Sequence, residues 1–322
     1  HRMQRVKAAP KALLPWLALL SALATVAVNA AANALPLNGL KTGEISDRFA
    51  VYFVPAGYVF AVWGLIYVGI LAFSVYQLRP AVREDPRLAG VRPWFLASNL
   101  ANAAWVFLWH YERFPLTLVA MGALLASLVA IHLHLRRGLG PSSPWERWLV
   151  DAPFSLYLGW ISVATIANVT AVLDYAGWSG WGLSQEAWMG VALALVVALA
   201  WLLALREREG VFLAVLLWAL VGIGVRFPNS GFVTLATWGA ALLVGLALAA
   251  ALVDTITHHV TSRGRPCSAV FSAGGDPVLI DGEPRNVALA LASAMPGFVH
   301  GWTAKELAAF APTKTPHALQ GA

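Results

Sequence analysis

Charge is the scarcest commodity in this sequence. Asp, Glu, Lys and Arg together make up 12% of its 322 residues, about half the share of a soluble domain, which is roughly a quarter. Cysteine occurs once, as Cys267, so an intrachain disulfide and a Cys-based metal site are both excluded. No Asp, Glu, Lys or Arg falls at the centre of a long apolar run. Ionisable groups inside a bilayer are expensive and mark ion paths, proton relays or acid–base chemistry. Their absence weighs against an ion-coupled transporter and against acid–base catalysis within the membrane.

What the chain does contain is apolar length. Hydrophobic residues make up 59% of it, with 15 Trp. Eight runs are candidates to cross a bilayer, a task that takes roughly 20 apolar residues: about 12–34, 56–78, 95–111, 115–136, 152–174, 187–205, 210–226 and 231–253. Breakers separate them: Asn38 and Gly39 after the first, Pro80 and Pro86 after the second, Pro93 before the third, Pro115 at the fourth. The first run follows a basic flank (Arg2, Arg5, Lys7, Lys11) and exceeds the core of a cleavable signal, so it reads as a retained helix. The fold class expected is therefore all-α, a polytopic transmembrane helix bundle of about eight spans. The net charge of +6 sits in short clusters between apolar runs, as topology determinants do, and nucleic acid is not an expected partner.

Counting Lys and Arg on alternate sides of eight spans gives fifteen on one side, the side of both termini. Four, namely Lys41, Arg48, Arg113 and Arg226, fall on the other. That asymmetry places both termini in the cytoplasm of a cell with a bacterial-type inner membrane. From about residue 254 the composition turns polar and rich in Gly, Pro and Asp. Residues 254–322 are expected to form a poorly ordered cytoplasmic tail, with one short helix over Val287–Met295.

Histidine offers little. His132 and His134 are two residues apart, so a helix turns them about 200° from one another and they cannot share one metal. His110 falls at a span end beside Glu112 and reads as interfacial. No metal is expected. Uncharged polar and aromatic residues form better patterns. Ser98, Asn102, Trp105 and Trp109 share one helix face; so do Tyr157, Trp160, Ala164 and Asn168, with Ser162 and Thr165 nearby; so do Phe60, Trp63 and Tyr67. An Asn facing lipid would leave its amide unsatisfied, so these stripes should face the bundle interior. They serve either as glue between helices or as the wall of an indole-lined cavity able to stack on a flat apolar ligand.

The stretch from Pro55 through Gly57 and Trp63 to Tyr67 resembles the opening of the second helix in the tryptophan-rich sensory protein family (TspO/MBR, translocator protein). Asn102-Ala-Ala-Trp105 is similar to that family's third-helix motif, and the segment Trp160 to Asn168 to its fifth. The resemblance covers about residues 12–175. It implies a five-helix bundle with a pocket for porphyrins and, in some members, sterols, under a lid formed by the loop between the first two helices. Trp63, Asn102, Trp105, Trp160 and Ala164 would line that pocket by motif position, and Tyr67 and Thr165 join them from the stripes. Ala56 stands where the family has a second Pro, and the lid's Trp-Tyr pair is missing, with Phe49 and Tyr52 as substitutes. A sterol-type pattern, Leu71, Tyr76 and Arg79, closes the second span and is weak.

The domains expected are thus a TspO-like bundle over 1–175, three further transmembrane helices over 176–253, and the tail. The expected function is an integral membrane ligand-binding or sensory protein with an aromatic pocket for porphyrin-like or other flat apolar molecules. The alternatives are a facilitative carrier of apolar solutes and a light-dependent porphyrin-degrading enzyme. No catalytic residue and no cofactor are expected, a porphyrin entering only as ligand. Expected partners are the lipid bilayer, a tetrapyrrole or sterol-like molecule and a second copy in a homodimer.

Overall fold

The computed structural model describes residues 2–35, 37–136, 143–263, 267–271 and 278–282. Helix covers each of the eight apolar runs. The long helices are α1 (Arg2–Ala34), α3 (Val62–Tyr76), α5 (Pro86–His110), α6 (Phe114–Arg136), α8 (Ala152–Tyr175), α9 (Gln185–Glu207), α10 (Gly210–Arg226) and α11 (Phe232–Arg263). Short helices α2 (Thr42–Ser46), α4 (Pro80–Arg83) and α7 (Pro144–Glu146) sit in the connections. Six of these segments are long and apolar enough to cross a membrane: Leu13–Ala34, Gly57–Tyr76, Phe114–Arg136, Pro144–Tyr175, Gln185–Glu207 and Phe232–Thr257. The chain is a polytopic helical membrane bundle.

Helix α5 starts nine residues before the expected boundary. Asp85 caps it by accepting the N–H of Arg87 at 2.8 Å, and Pro86 occupies the first turn, where a missing N–H costs nothing. Pro93 therefore lies inside the helix rather than ahead of it. The turn this adds carries Arg92, which is buried. Its guanidinium donates to Gln77 Oε1 at 2.9 Å and to the Arg83 carbonyl at 2.7 Å.

Five helices close a ring. Helix α1 packs on α3 and α5, α5 on α6, α6 on α8, and α8 back on α3. Outside the ring α10 packs on α8, and α9 on α10. Gly159 makes the α8–α10 contact close: a Cβ there would meet the Phe212 carbonyl oxygen at 3.1 Å and Val215 Cβ at 3.2 Å. Such small residues let helices approach where lipid offers no hydrophobic drive. Helix α11 lies on α10, with Leu252 against Gly210 and Trp238 against Gly224.

The loop 37–56, containing α2, lies at one end of the ring. His110, expected at the interface, is buried and holds this loop. Its ring nitrogens meet the Leu37 carbonyl and Thr42 Oγ1, each at 3.0 Å, and Asn38 donates to its carbonyl at 2.9 Å. Ile45 is fully buried among Trp109, Phe114, Ala171 and Val172. From outside the ring, Gly222 accepts the Ala56 N–H at 3.1 Å, and Arg226 pairs with Asp47 at 2.8 Å.

Residues 1–252 form one compact unit and 253–322 a second. Helix α11 continues past the composition change at residue 254. In the tail, expected to be poorly ordered, the described residues form an antiparallel hairpin of β1 (Cys267–Phe271) and β2 (Val278–Gly282), with Cys267 opposite Gly282. The stretch Val287–Met295 lies outside the described residues.

Enlarging Gly159 tests the ring's outer contact. Gly159→Leu should lower stability by about 1–3 kcal/mol through overpacking against α10, read as an earlier midpoint when the detergent-solubilised protein is titrated with a denaturing detergent.

Candidate functional site

Indoles from three ring helices meet beneath the loop 37–56. Trp63 of α3 lies edge-on to Trp160 of α8, centroids 6.2 Å apart, and stacks on Tyr67 at 5.6 Å. Phe60 meets Trp160 at 5.8 Å. On α5, Trp105 and Trp109 stack at 5.2 Å, one helical turn apart. Phe60, Trp63, Trp105, Trp109 and Trp160, with Val163, Ala164 and Ala167 of α8, line a cavity of about 70 Å³. The loop contributes Thr42, Ser46, Val51, Val54 and Pro55 to the same wall.

Several polar groups of the cavity are committed to the protein. Trp105 Nε1 donates to Asn168 Oδ1 at 2.6 Å, and Asn168 Nδ2 donates to Thr117 Oγ1 at 2.9 Å, so one Asn ties α5, α8 and α6 together. Trp109 Nε1 donates to the Thr42 carbonyl at 3.2 Å, fastening the loop to the cavity wall. Trp160 differs in being both buried and unpaired. It is 2% exposed, and its Nε1 is one of two buried side-chain polar atoms without a partner among the described residues, the other being Asn99 Oδ1.

The sequence model of a family described as TSPO-like protein matches residues 15–252. The chain belongs to the TSPO-like protein family. No curated protein and no solved structure matches it. The TSPO-like match runs past residue 175, through α9, α10 and most of α11, and stops where the first compact unit does.

The seven residues expected at the site take four different places in this TSPO-like chain. Trp63, Trp105, Trp160 and Ala164 line the cavity. Asn102 does not. It is 1% exposed, its Oδ1 accepts from Asn29 Nδ2 at 2.7 Å, and its Nδ2 donates to the Tyr157 hydroxyl at 2.7 Å. Both ends of the amide join helices α1, α5 and α8, which is the glue role. Tyr67 stands behind Trp63 and supports it from within α3. Thr165 donates to the Ile161 carbonyl of its own helix at 2.7 Å and faces a different groove, between α8 and α9. The α5 stripe is therefore glue at Asn102 and cavity wall at Trp105 and Trp109, while buried Ser98 donates to the Phe95 carbonyl of its own helix at 2.8 Å. Asn168 and Trp109, which belonged to the stripes, are cavity residues too. The loop's contributions carried no periodic signal.

At the other end of α6, His132 gains partners the sequence did not suggest. Its Nε2 lies 2.7 Å from Glu207 Oε2, and His132, Glu207 and Glu209 bring ligand-type atoms within 4.8 Å of one another. The Arg136 guanidinium pairs with both carboxylates, with Nε 3.2 Å from Glu207 Oε2. Ser155 donates to Glu209 at 2.7 Å. Arg136 thus supplies the positive charge an ion would bring, and the group is an ion-pair cluster binding α6 and α8 to the α9–α10 turn.

The glue role of Asn102 is separable from binding. Asn102→Leu should cost about 1–2 kcal/mol of stability, because it strands the Tyr157 hydroxyl and the Asn29 amide in a dry interior. Thermal unfolding in a mild detergent reads the loss.

Proposed function

We propose that this TSPO-like membrane protein is a ligand-binding sensor whose indole cavity takes a flat apolar molecule of the porphyrin type. The observation that carries this reading is the unpaired Trp160 N–H among the rings of Trp63, Phe60 and Trp105. An unsatisfied buried donor costs about 1–3 kcal/mol, and a carbonyl or carboxylate oxygen on a bound ring system would recover that cost. Indole faces supply the rest, since stacked or edge-on aromatic pairs add about 0.5–1.5 kcal/mol each beyond their buried area.

Size limits how such a ligand enters. Pockets for small molecules span roughly 300–1,000 Å³, and the cavity here holds 70 Å³. Binding therefore requires the loop 37–56 to lift. Its polar fastenings are three hydrogen bonds with His110, one from Trp109, those of Ala50 to Asp174, Tyr52 to Glu186 and Ala56 to Gly222, and ion pairs such as Arg226–Asp47 and Arg48–Glu112. The Arg48–Glu112 pair is solvent-exposed, and pairs of that kind contribute about 0.2–1 kcal/mol each. Burial of Ile45 adds about 1.5–3 kcal/mol. The loop acts as a lid held by many separate small contacts, which a ligand with several ring contacts would displace. The Lys and Arg asymmetry supports a lid facing away from the cytoplasm.

Titration of the purified protein with protoporphyrin, followed by quenching of Trp fluorescence, tests the site. Replacing both Trp63 and Trp160 by Ala should raise Kd at least about tenfold; an unchanged Kd ends the proposal. Releasing one lid fastening should act on rate. Arg226→Gln should speed ligand association by a few-fold, as expected for loss of about 0.5–1 kcal/mol of closure, in stopped-flow quenching.

A further inference from the structure

A second cavity, larger than the indole one, lies outside the indole site. Helices α8 and α9 are consecutive in the chain, yet both pack on α10 rather than closely on each other. Between them runs a groove of about 640 Å³, well within the range of small-molecule pockets. Its long part is apolar, walled by Ile166, Val169 and Leu173 on α8 and by Ala192 and Leu195 on α9. Both helices are candidate membrane spans, so this part faces hydrocarbon depth.

One end of the groove is different. Asp174 lies there with Trp178 and Trp188. Its Oδ2 accepts the Ala50 N–H at 3.2 Å, and among the described residues it forms no salt bridge. Glu186, next to the groove, is likewise without a cation among the described residues and accepts from the Tyr52 hydroxyl at 3.3 Å. No Lys or Arg is found among the residues lining the groove. Trp178 and Trp188 lie 4.9 Å apart and both touch Trp181. Trp181 is 80% exposed and holds a left-handed backbone at φ +53°, a conformation that is a genuine outlier for a bulky side chain.

An interfacial belt explains exposed indoles by itself. It does not explain an uncompensated carboxylate at the head of an apolar trench. Indole faces beside a carboxylate are the chemistry that holds an ammonium group, through cation–π attraction and charge. The dimensions agree. Asp174 and Thr165 are separated by about 13 Å along α8 at roughly 1.5 Å per residue, close to half of a hydrocarbon core of roughly 30 Å. We propose that the α8–α9 groove binds an ammonium-headed amphiphile from the adjacent leaflet, its head against Asp174, Trp178 and Trp188 and its chain lying between the two helices. The charge complementarity selects this occupant over an anionic or uncharged lipid.

The test uses the full chain in bilayers of uncharged lipid. Three single-chain photoreactive amphiphiles of equal length, with trimethylammonium, sulfate or hydroxyl heads, are added at the same low mole fraction, and labelled peptides are mapped by mass spectrometry. The ammonium compound should label residues 165–173 and 189–195 roughly tenfold more than the sulfate. Asp174→Asn keeps the acceptor for Ala50 N–H and should bring ammonium labelling down to the level of the hydroxyl compound. Equal labelling by all three heads would overturn the proposal and leave an apolar gap filled by any lipid. If Asp174→Asn does not accumulate, the head-group comparison on the unaltered chain decides alone. None of these outcomes bears on Trp63 and Trp160, so the two sites stand or fall separately.

Discussion

Water is absent from the hydrocarbon core, so every polar side chain there must find its partner within the protein. That constraint sets how the five-helix ring is assembled. Asn29, Asn102 and Tyr157 join α1, α5 and α8 at one level, and Trp105, Asn168 and Thr117 join α5, α8 and α6 at another. The Asn102 and Asn168 amides are each used at both ends, which fixes the rotation of their helices as well as their height. Helices held in this way cannot turn their indoles toward lipid without breaking a buried hydrogen bond. The cavity is a consequence of the pairing around it. Trp160 departs from the rule, leaving a buried N–H without a partner beside the Trp63 and Phe60 rings, and that free donor is the basis of the binding reading.

The helices outside the ring take part in roofing the cavity. The loop 37–56 is tied to α5 through His110 and Trp109, to α8 through Asp174, and to α10 through Gly222 and Arg226. Gly222 matters sterically, since a Cβ there would collide with Val59 and press on Pro55 at the edge of the lid. A chain ending after α8 would keep its indoles and lose the fastenings on α10. In this light, the extension of the family match to residue 252 has a physical counterpart in the structure.

Much of this was legible in the sequence because apolar length and polar spacing are local properties. The helical runs and the bundle class followed from composition and helical period, and the grouping of Trp63, Trp105 and Trp160 from the family resemblance. The partner of each amide did not. Asn102 and Asn168 look alike in a helical stripe, yet one is consumed by Asn29 and Tyr157 and the other lines the cavity. The difference depends on which residue of a distant helix lies at the same depth. His110 was misjudged for the same reason: its position at a helix end said interface, and the loop that buries it has no period to read. Pro93 misplaced the start of α5 because a proline marks a boundary only when no better cap precedes it, and Asp85 with Pro86 does.

Helix α8 carries the deepest consequence of the arrangement. One face presents Trp160, Val163, Ala164 and Asn168 to the indole cavity, and another presents Thr165, Ile166, Val169 and Leu173 to the groove. The two cavities also share a wall in the lid, since Val51 lines both. Asp174 accepts the N–H of Ala50, the residue just before it. A guest in either cavity that shifts the segment around Val51 changes the shape offered to a guest in the other. Coupling of that kind is reciprocal in free energy. Its sign depends on whether the lid position that admits a ring system beneath Val51 also keeps the Ala50 N–H on Asp174. If that bond must break, the freed carboxylate is better placed to meet a cation, and occupancy of the two sites would rise together.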